Sequence, residues 1–421
     1  MAVSRRAVGT VLQENLCKRR SVRRLRLTVE PSSPREVGLS VKRLLAGAAL
    51  FRNGGKIMQN TTLEKIQELQ QANRWQEMID YLKPIVEFGD KRVEHWRALG
   101  FAYSQLNRYD EARYCYKQWL ELEPNRAQPY YSLGYTYYHA GQWKEAIEWF
   151  DKALEVFPDY LVCLYRKGVA QYSMLKSQKA KETLKKAVLI YQGYRNDGPL
   201  KRNAKYYYKA IFYLGKAYYE MGQYYNALAC FLKLEEEDKR HYLAPHFKKY
   251  NLSKGYAGVK KYPEAEKIIA KLCKHPQAKD YMFDLYAQIQ AARQNYEAAF
   301  ENFKKALQKR PAAYILCHRA ELYMELGRLN EAEADLHEAL RRDKIGKHKI
   351  LLALGKIALQ QNKLPEAKSY FLRAIEFKKK IYAADFYEGH LALGEYYHLN
   401  GEEEMAKDEY AVAAELQSQW Q

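Results

Sequence analysis

Apolar side chains recur along this chain every three or four residues, and strand-like alternation is hard to find, so the pattern predicts helices throughout. Two stretches show the unit. "WRALGFAYSQLNRYDEARYCYKQWLELEP" begins at Trp96 and "YYSLGYTYYHAGQWKEAIEWFDKALEVFP" at Tyr130, 34 residues on. Trp96, Leu99, Gly100 and Tyr103 align with Tyr130, Leu133, Gly134 and Tyr137; Ala112, Tyr116 and Pro124 align with Ala146, Phe150 and Pro158. Each column has a reason in a helix–turn–helix. Gly100 and Gly134 lie where helix A touches helix B and a side chain would push them apart, and Ala112 and Ala146 meet that contact. Leu99 and Tyr103 fill the seam on one helix face. Asn107 and Gly141 suit the left-handed turn that ends helix A, and Pro124 and Pro158 stop helix B.

The small residue of helix B continues as Met78, Ala112, Ala146, Ala180, Ala227, Ala265, Ala299, Ala332, Ala367 and Ala406, at spacings of 34, 34, 34, 47, 38, 34, 33, 35 and 39. Ten units therefore cover about 59–420. The first is degenerate, with Met78 where alanine is usual. The 47 spacing marks an insertion of 13 residues around 193–207, where Gly198-Pro199 signals a break. Lengthened junctions at 239–246 and 380–387 imply longer helices or loops. With this period and these columns the chain resembles the tetratricopeptide repeat (TPR) family. The resemblance implies an all-α, right-handed α-solenoid of about ten repeats: repeats 1–4 over 58–194, a basic insertion over 195–207, and repeats 5–10 over 208–421. No polar capping helix follows the last repeat, so that end is read as open to a partner or as an exposed Trp420.

Charge changes the picture less than the total of +20 suggests. Residues 1–57 hold 13 Lys/Arg against 3 acids, and the remainder holds 57 against 47. Three readings compete for that leader: a transit peptide, a basic nucleic-acid-binding arm, or upstream sequence read from the wrong start. The third is preferred. "GGKIM", Gly54 to Met58, back-translates to a purine-rich ribosome-binding site before a start codon, making Met58 the expected start and the source bacterial. Six scattered cysteines without a Cys-x-x-Cys pair point to a reducing cytoplasm. No apolar run reaches the roughly 18–20 residues of a membrane span.

Catalytic chemistry has no foothold in the motifs. Phosphate-binding glycine loops and a His-Glu-x-x-His site are missing, and His337-Glu338 lacks its second histidine. Cys115 and Cys230 fall on the same turn of helix B in their respective repeats and read as packing residues. Carboxylates pair with lysines along helix surfaces, as Lys144 with Glu148. No enzyme activity, cofactor or metal is expected, and function falls to the surface as a scaffold or adaptor.

The family's groove positions lie one, five and eight residues after the Trp96 column. Carried over, they give Arg97, Phe101 and Ser104; Tyr131, Tyr135 and Tyr138; Tyr165, Val169 and Tyr172; Phe212, Lys216 and Tyr219; Tyr250, Lys254 and Ala257; and further on Asp284, Gln288, Cys317, Glu321, Met324, Lys356, Glu395 and His398. The central stretch is aromatic with two lysines, and the later stretch is more acidic. Rigid aromatics in a concavity anchor peptides at low entropy cost; the competing reading is that these rings only pack. The family's carboxylate clamp for chaperone tails is not expected, because Phe101, Tyr135, Val169 and Lys216 occupy the places of its asparagine. A second stretch, 239–261, holds Lys239, Arg240, Lys248, Lys249, Lys260 and Lys261 among aromatics and contains no acid. It could bind RNA or another acidic ligand, or be a solvated face balanced by "EEED" at 235–238. A peptide or protein in the aromatic groove is the expected partner, with nucleic acid on the basic 195–261 region as the alternative. A peptide-sensing regulator is a third option, and it lacks a helix-turn-helix module.

Overall fold

The computed structural model describes residues 55–382 and 385–418, with side chains from 62 to 381 and from 385 to 418. The leader before residue 55 and Trp420 lie outside the described residues. Among the described residues there are twenty helices and no strand. Each repeat contributes a helix A and a helix B. They are α1 Gly55–Gln71, α2 Trp75–Glu87, α3 Val93–Gln105, α4 Tyr109–Leu122, α5 Ala127–His139, α6 Trp143–Val156, α7 Leu161–Ser173, α8 Ser177–Gly193, α9 Asp197–Glu220 and α10 Tyr224–Glu237. The series continues with α11 Pro245–Gly258, α12 Tyr262–Cys273, α13 Asp280–Ala292, α14 Tyr296–Lys309, α15 Ala313–Glu325, α16 Leu329–Arg342, α17 Lys347–Gln360, α18 Leu364–Tyr382, α19 Tyr387–Leu399 and α20 Glu403–Ser418.

By contacts the chain falls into two units, Met1–Pro84 and Ile85–Gln421. In the first, Ile66 and Leu69 of α1 are buried, as are Met78, Ile79 and Leu82 of α2. Met78 fills the space that alanine leaves elsewhere, and the Tyr81 hydroxyl donates to Thr62 Oγ1 at 3.5 Å.

The second unit is an all-helical repeat solenoid. Each helix packs on its neighbours in the chain, and helices A of successive repeats also meet, α5 with α7, α7 with α9, α11 with α13 and α13 with α15. Helices A thus share one layer, the inner face. The predicted columns build the seams. Ala112, Ala146, Ala180, Ala227, Ala265, Ala299, Ala332 and Ala367 are all fully buried. Four residues on, Tyr116, Phe150, Leu184, Phe231 and Phe371 press against the helix-A glycines. A methyl on Gly134 would stand 2.6 Å from Phe150 Cδ1, and one on Gly100 would stand 2.7 Å from Tyr116 Cε1. A side chain at either position would force the facing ring to shift. Ser253, Ala287 and Ala320, each fully buried, take the same place in repeats 6–8.

The inserted segment becomes helix. α8 and α9 run to 17 and 24 residues, so all but two residues of 195–207 belong to α9, with Pro199 in its first turn. The chain breaks just before, at Tyr194 to Asn196. The extended ends hold each other: the Tyr191 and Tyr207 rings stack at 4.0 Å, and the Tyr191 hydroxyl donates to the Leu200 carbonyl at 3.2 Å. Of the other two long junctions, 239–244 is a link between helices, and 380–382 extends α18.

Candidate functional site

Helices A from α5 to α15 carry a continuous run of rings and charges on the inner face. At α5, Tyr131 packs on Phe150, Tyr160 and Tyr135 with ring centroids 5.9, 5.1 and 6.2 Å away. Burial holds its phenol well above the usual tyrosine range. Arg166 of α7 reaches back to this cluster. Its Nε donates to the Tyr131 hydroxyl at 2.9 Å, and its guanidinium lies 4.4 Å from the Tyr135 ring centre and 5.2 Å from that of Tyr138. Arginine stacks and donates in the plane at once, which lets one side chain bind three rings.

The next cation is Lys216 of α9. Its ammonium sits 4.7 Å from the Tyr172 ring centre, 5.4 Å from Tyr213 and 5.9 Å from Phe212. The Tyr172 hydroxyl donates to Glu220, which also accepts from Ser177 Oγ at 3.0 Å. Lys254 of α11 repeats the motif, 4.3 Å from the centre of the Tyr219 ring. Burial lowers the pKa of Lys216 and Lys254 and pushes the Tyr219 phenol up to about 12. Tyr250 meets Tyr281 edge-on at 4.7 Å. Among the described residues no carboxylate lies within ion-pair distance of Arg166, Lys216 or Lys254.

Beyond α11 the sign changes. Asp284 of α13 is buried and takes His318 Nδ1 of α15 at 3.0 Å; Gln288 Nε2 donates to Asp284 at 2.9 Å. Burial opposes a charge on His318, yet the Asp284 bond outweighs it and raises the imidazole pKa. Tyr314 donates to Asp280 at 2.7 Å, and burial raises the Glu321 carboxyl.

Several expected groove residues stand elsewhere. Tyr165 is buried, 7% exposed, and belongs to the core with Val169 at 3%. Close packing of α7 against α9 covers both. Ser104 is buried too, donating to the Gly100 carbonyl at 2.9 Å. Arg97 is exposed and Phe101 half-buried. Tyr130 and Tyr137, in the columns of Trp96 and Tyr103, are half-buried and pack against the core of Ala146 and Phe150, with Trp149 beside Tyr130 and Arg113 over Tyr137. Arg166, Tyr213 and Glu220 were missed: the carried-over offsets skip them, although a lone arginine in "LVCLYRKGVAQYS" is itself a signal.

One member of the basic patch is turned inward, and the others stay exposed. Lys248 is a correction: its side chain is 2% exposed and its Nζ donates to the Asp238 carbonyl at 2.8 Å, 3.4 Å from Asp238 Oδ2. Lys239 and Arg240 lie before α11 and Lys260 and Lys261 after it, so a 14-residue helix, about 20 Å, separates the pairs. Cys115 is buried, and burial pushes the Cys115 and Cys230 thiols up to about 12, as packing residues would show. No helix among the described residues is long and apolar enough to cross a membrane.

Comparison with known proteins follows the same columns. Models described as tetratricopeptide repeat or TPR repeat match residues 100–141, 127–160, 209–238 and 317–385. No curated protein sequence matches the chain. Among solved structures it is similar to a tetratricopeptide repeat protein from Parabacteroides merdae, 19% identical over 61% of this chain and 96% of that one, TM-score 0.48. Yeast Tom70 is 19% identical over 78% and 76%, TM-score 0.39. YrrB, described as a TPR protein with an unusual peptide-binding site, is 18% identical over 49% and 97%, TM-score 0.39. With identities below 20% and TM-scores below 0.5, nothing further follows from the likeness.

Proposed function

This chain is a tetratricopeptide repeat protein, a kind of fold that serves protein interaction, and we propose that its inner face from α5 to α11 holds an extended, acidic and aromatic segment of a partner protein. The protein then acts as a non-catalytic scaffold or adaptor. One observation carries the reading: Arg166, Lys216 and Lys254 are half-buried cations seated on tyrosine rings, with no carboxylate within ion-pair distance among the described residues, Glu220 being the nearest acid that acts on the two lysines. A ring face holds a cation in place without using its N–H donors, and of these only Arg166 Nε is already taken among the described residues, by Tyr131. An arriving carboxylate takes the remaining donors in charge-assisted bonds, each contributing about 1.5–3 kcal/mol. Partner aromatics stack on Tyr135, Tyr138 and Tyr219 at little entropy cost. The acidic run of Asp280, Asp284 and Glu321 supports a fixed direction: the acidic part of the partner over α7 to α11, and a basic part over α13 and α15. The nucleic-acid alternative loses Lys248 to the interior, and the pair Lys239 and Arg240 lies at the opposite end of α11 from Lys260 and Lys261.

Panning a random peptide library against the full chain tests this. Selected sequences are expected to be enriched in Asp, Glu, Phe, Tyr and Trp. The K216E/K254E chain, with unchanged helical circular dichroism, should lose them and select basic peptides instead. Equal binding of the same peptides by both chains would sink the proposal.

A further inference from the structure

A second concavity, open to solvent, lies apart from the groove residues between α10, α11, α12 and the start of α13, with a volume of about 460 Å³ and its lysines and histidines at the exposed rim. That is the size range of small-molecule sites, roughly 300–1,000 Å³. Its floor is apolar, built from Leu252, Ile268, Leu272 and Met282. Its walls carry four lysines: Lys249 of α11, Lys267 and Lys271 one turn apart on α12, and Lys279 at the start of α13. Two imidazoles, His246 and His275, complete the wall. None of the four lysines makes an ion pair among the described residues. Four like charges around one apolar hollow repel one another, and a multiply charged anion relieves that repulsion.

One acid lines the cavity. Glu235 Oε2 is buried and accepts no hydrogen bond. A buried carboxylate oxygen without a donor is costly, so its presence points to a donor brought from outside. Anion, apolar body and N–H donor are three requirements on one ligand. We propose that this cavity binds a nucleotide whose base carries an exocyclic amine. The phosphates take the lysines, the base lies on the Leu252–Met282 floor beside the imidazoles, and the amine donates to Glu235. The site is independent of the groove: it uses Lys249 of the basic stretch while leaving Tyr250 and Lys254 to the inner face. Binding is non-covalent and no bond is made or broken.

The full chain is titrated calorimetrically at fixed ionic strength with ADP, IDP, adenosine and inorganic pyrophosphate, and with a single-stranded RNA oligomer. ADP is expected to bind one per chain and more tightly than adenosine or pyrophosphate alone. Lys267→Gln and Lys271→Gln should each weaken it about tenfold. ADP should be preferred to IDP, which lacks the amine, and Glu235→Gln should erase that preference while helical circular dichroism is retained. Failure of every nucleotide to bind overturns the proposal. So does pyrophosphate binding as tightly as ADP, which would mark a plain anion site. RNA binding without mononucleotide binding overturns it too, in favour of a nucleic-acid surface.

Discussion

Ten residues end a helix A in the left-handed conformation, and they differ in how well they suit it. Gly141, Gly222, Gly327 and Gly401 pay nothing for φ of 69–78°, and Asn73, Asn107 and Asn362 tolerate 54–59°. Leu175, Lys260 and Gln294 have no such excuse at 59–62°. Leu175 is also 64% exposed, so its side chain recovers no packing energy. A left-handed residue with a Cβ costs about 1–2 kcal/mol, partly offset by the larger unfolded-state entropy of glycine. Leu175→Gly should therefore stabilise the chain by about 1 kcal/mol, read as a higher urea midpoint at unchanged slope; a lower midpoint would refute it. Asn107 and Gly141 were legible as turns because their chemistry announces one. Leu175 was not; only its register, seven residues after Gly168 as Gly141 follows Gly134, identifies it. Arg166 stood out as a residue, but its place on the inner face was not legible for a related reason: which side of α7 stays open depends on how α9 packs there, and fixed offsets cannot see that.

At the scale of the element, the link between α10 and α11 shows what local charge counting overlooks. Asp238 accepts the backbone N–H groups of Tyr242 and Leu243 at 3.0 and 3.1 Å, while Lys248 donates to its carbonyl at 2.8 Å. The Asp238 and Lys248 side chains are 0% and 2% exposed. A buried pair thus fixes the turn into α11 and with it the face that presents Tyr250 and Lys254. In the sequence, Lys248 looked like one more cation in a run without acids, because its partner lies ten residues earlier in "EEED". Removing one partner strands the other, and such breaks cost about 3–5 kcal/mol. Lys248→Met should lose about that much, and adding Asp238→Asn should restore part of it. A denaturant series checks both, and a loss below about 1 kcal/mol for the single variant would show that the pair is not a clamp.

For the whole array, the columns of alanine and glycine made the repeat fold readable, since each repeat solves the same packing problem. They say nothing of the inner face, whose exposure follows from how closely successive helices A approach. The same near-neighbour design within Ile85–Gln421 makes damage local. Gly355 of α17 faces Phe371, which is fully buried, so Gly355→Val overpacks that seam and costs about 1–3 kcal/mol. In native-state hydrogen exchange, protection should fall in α17 to α19 while amides of α5 to α9 keep theirs. Because the proposed groove lies upstream of that seam, the G355V chain should also bind selected acidic peptides with unchanged affinity. Protection lost evenly across the unit, or binding lost with it, would mean that the repeats fold as one cooperative body and that the groove is tuned by helices far from it.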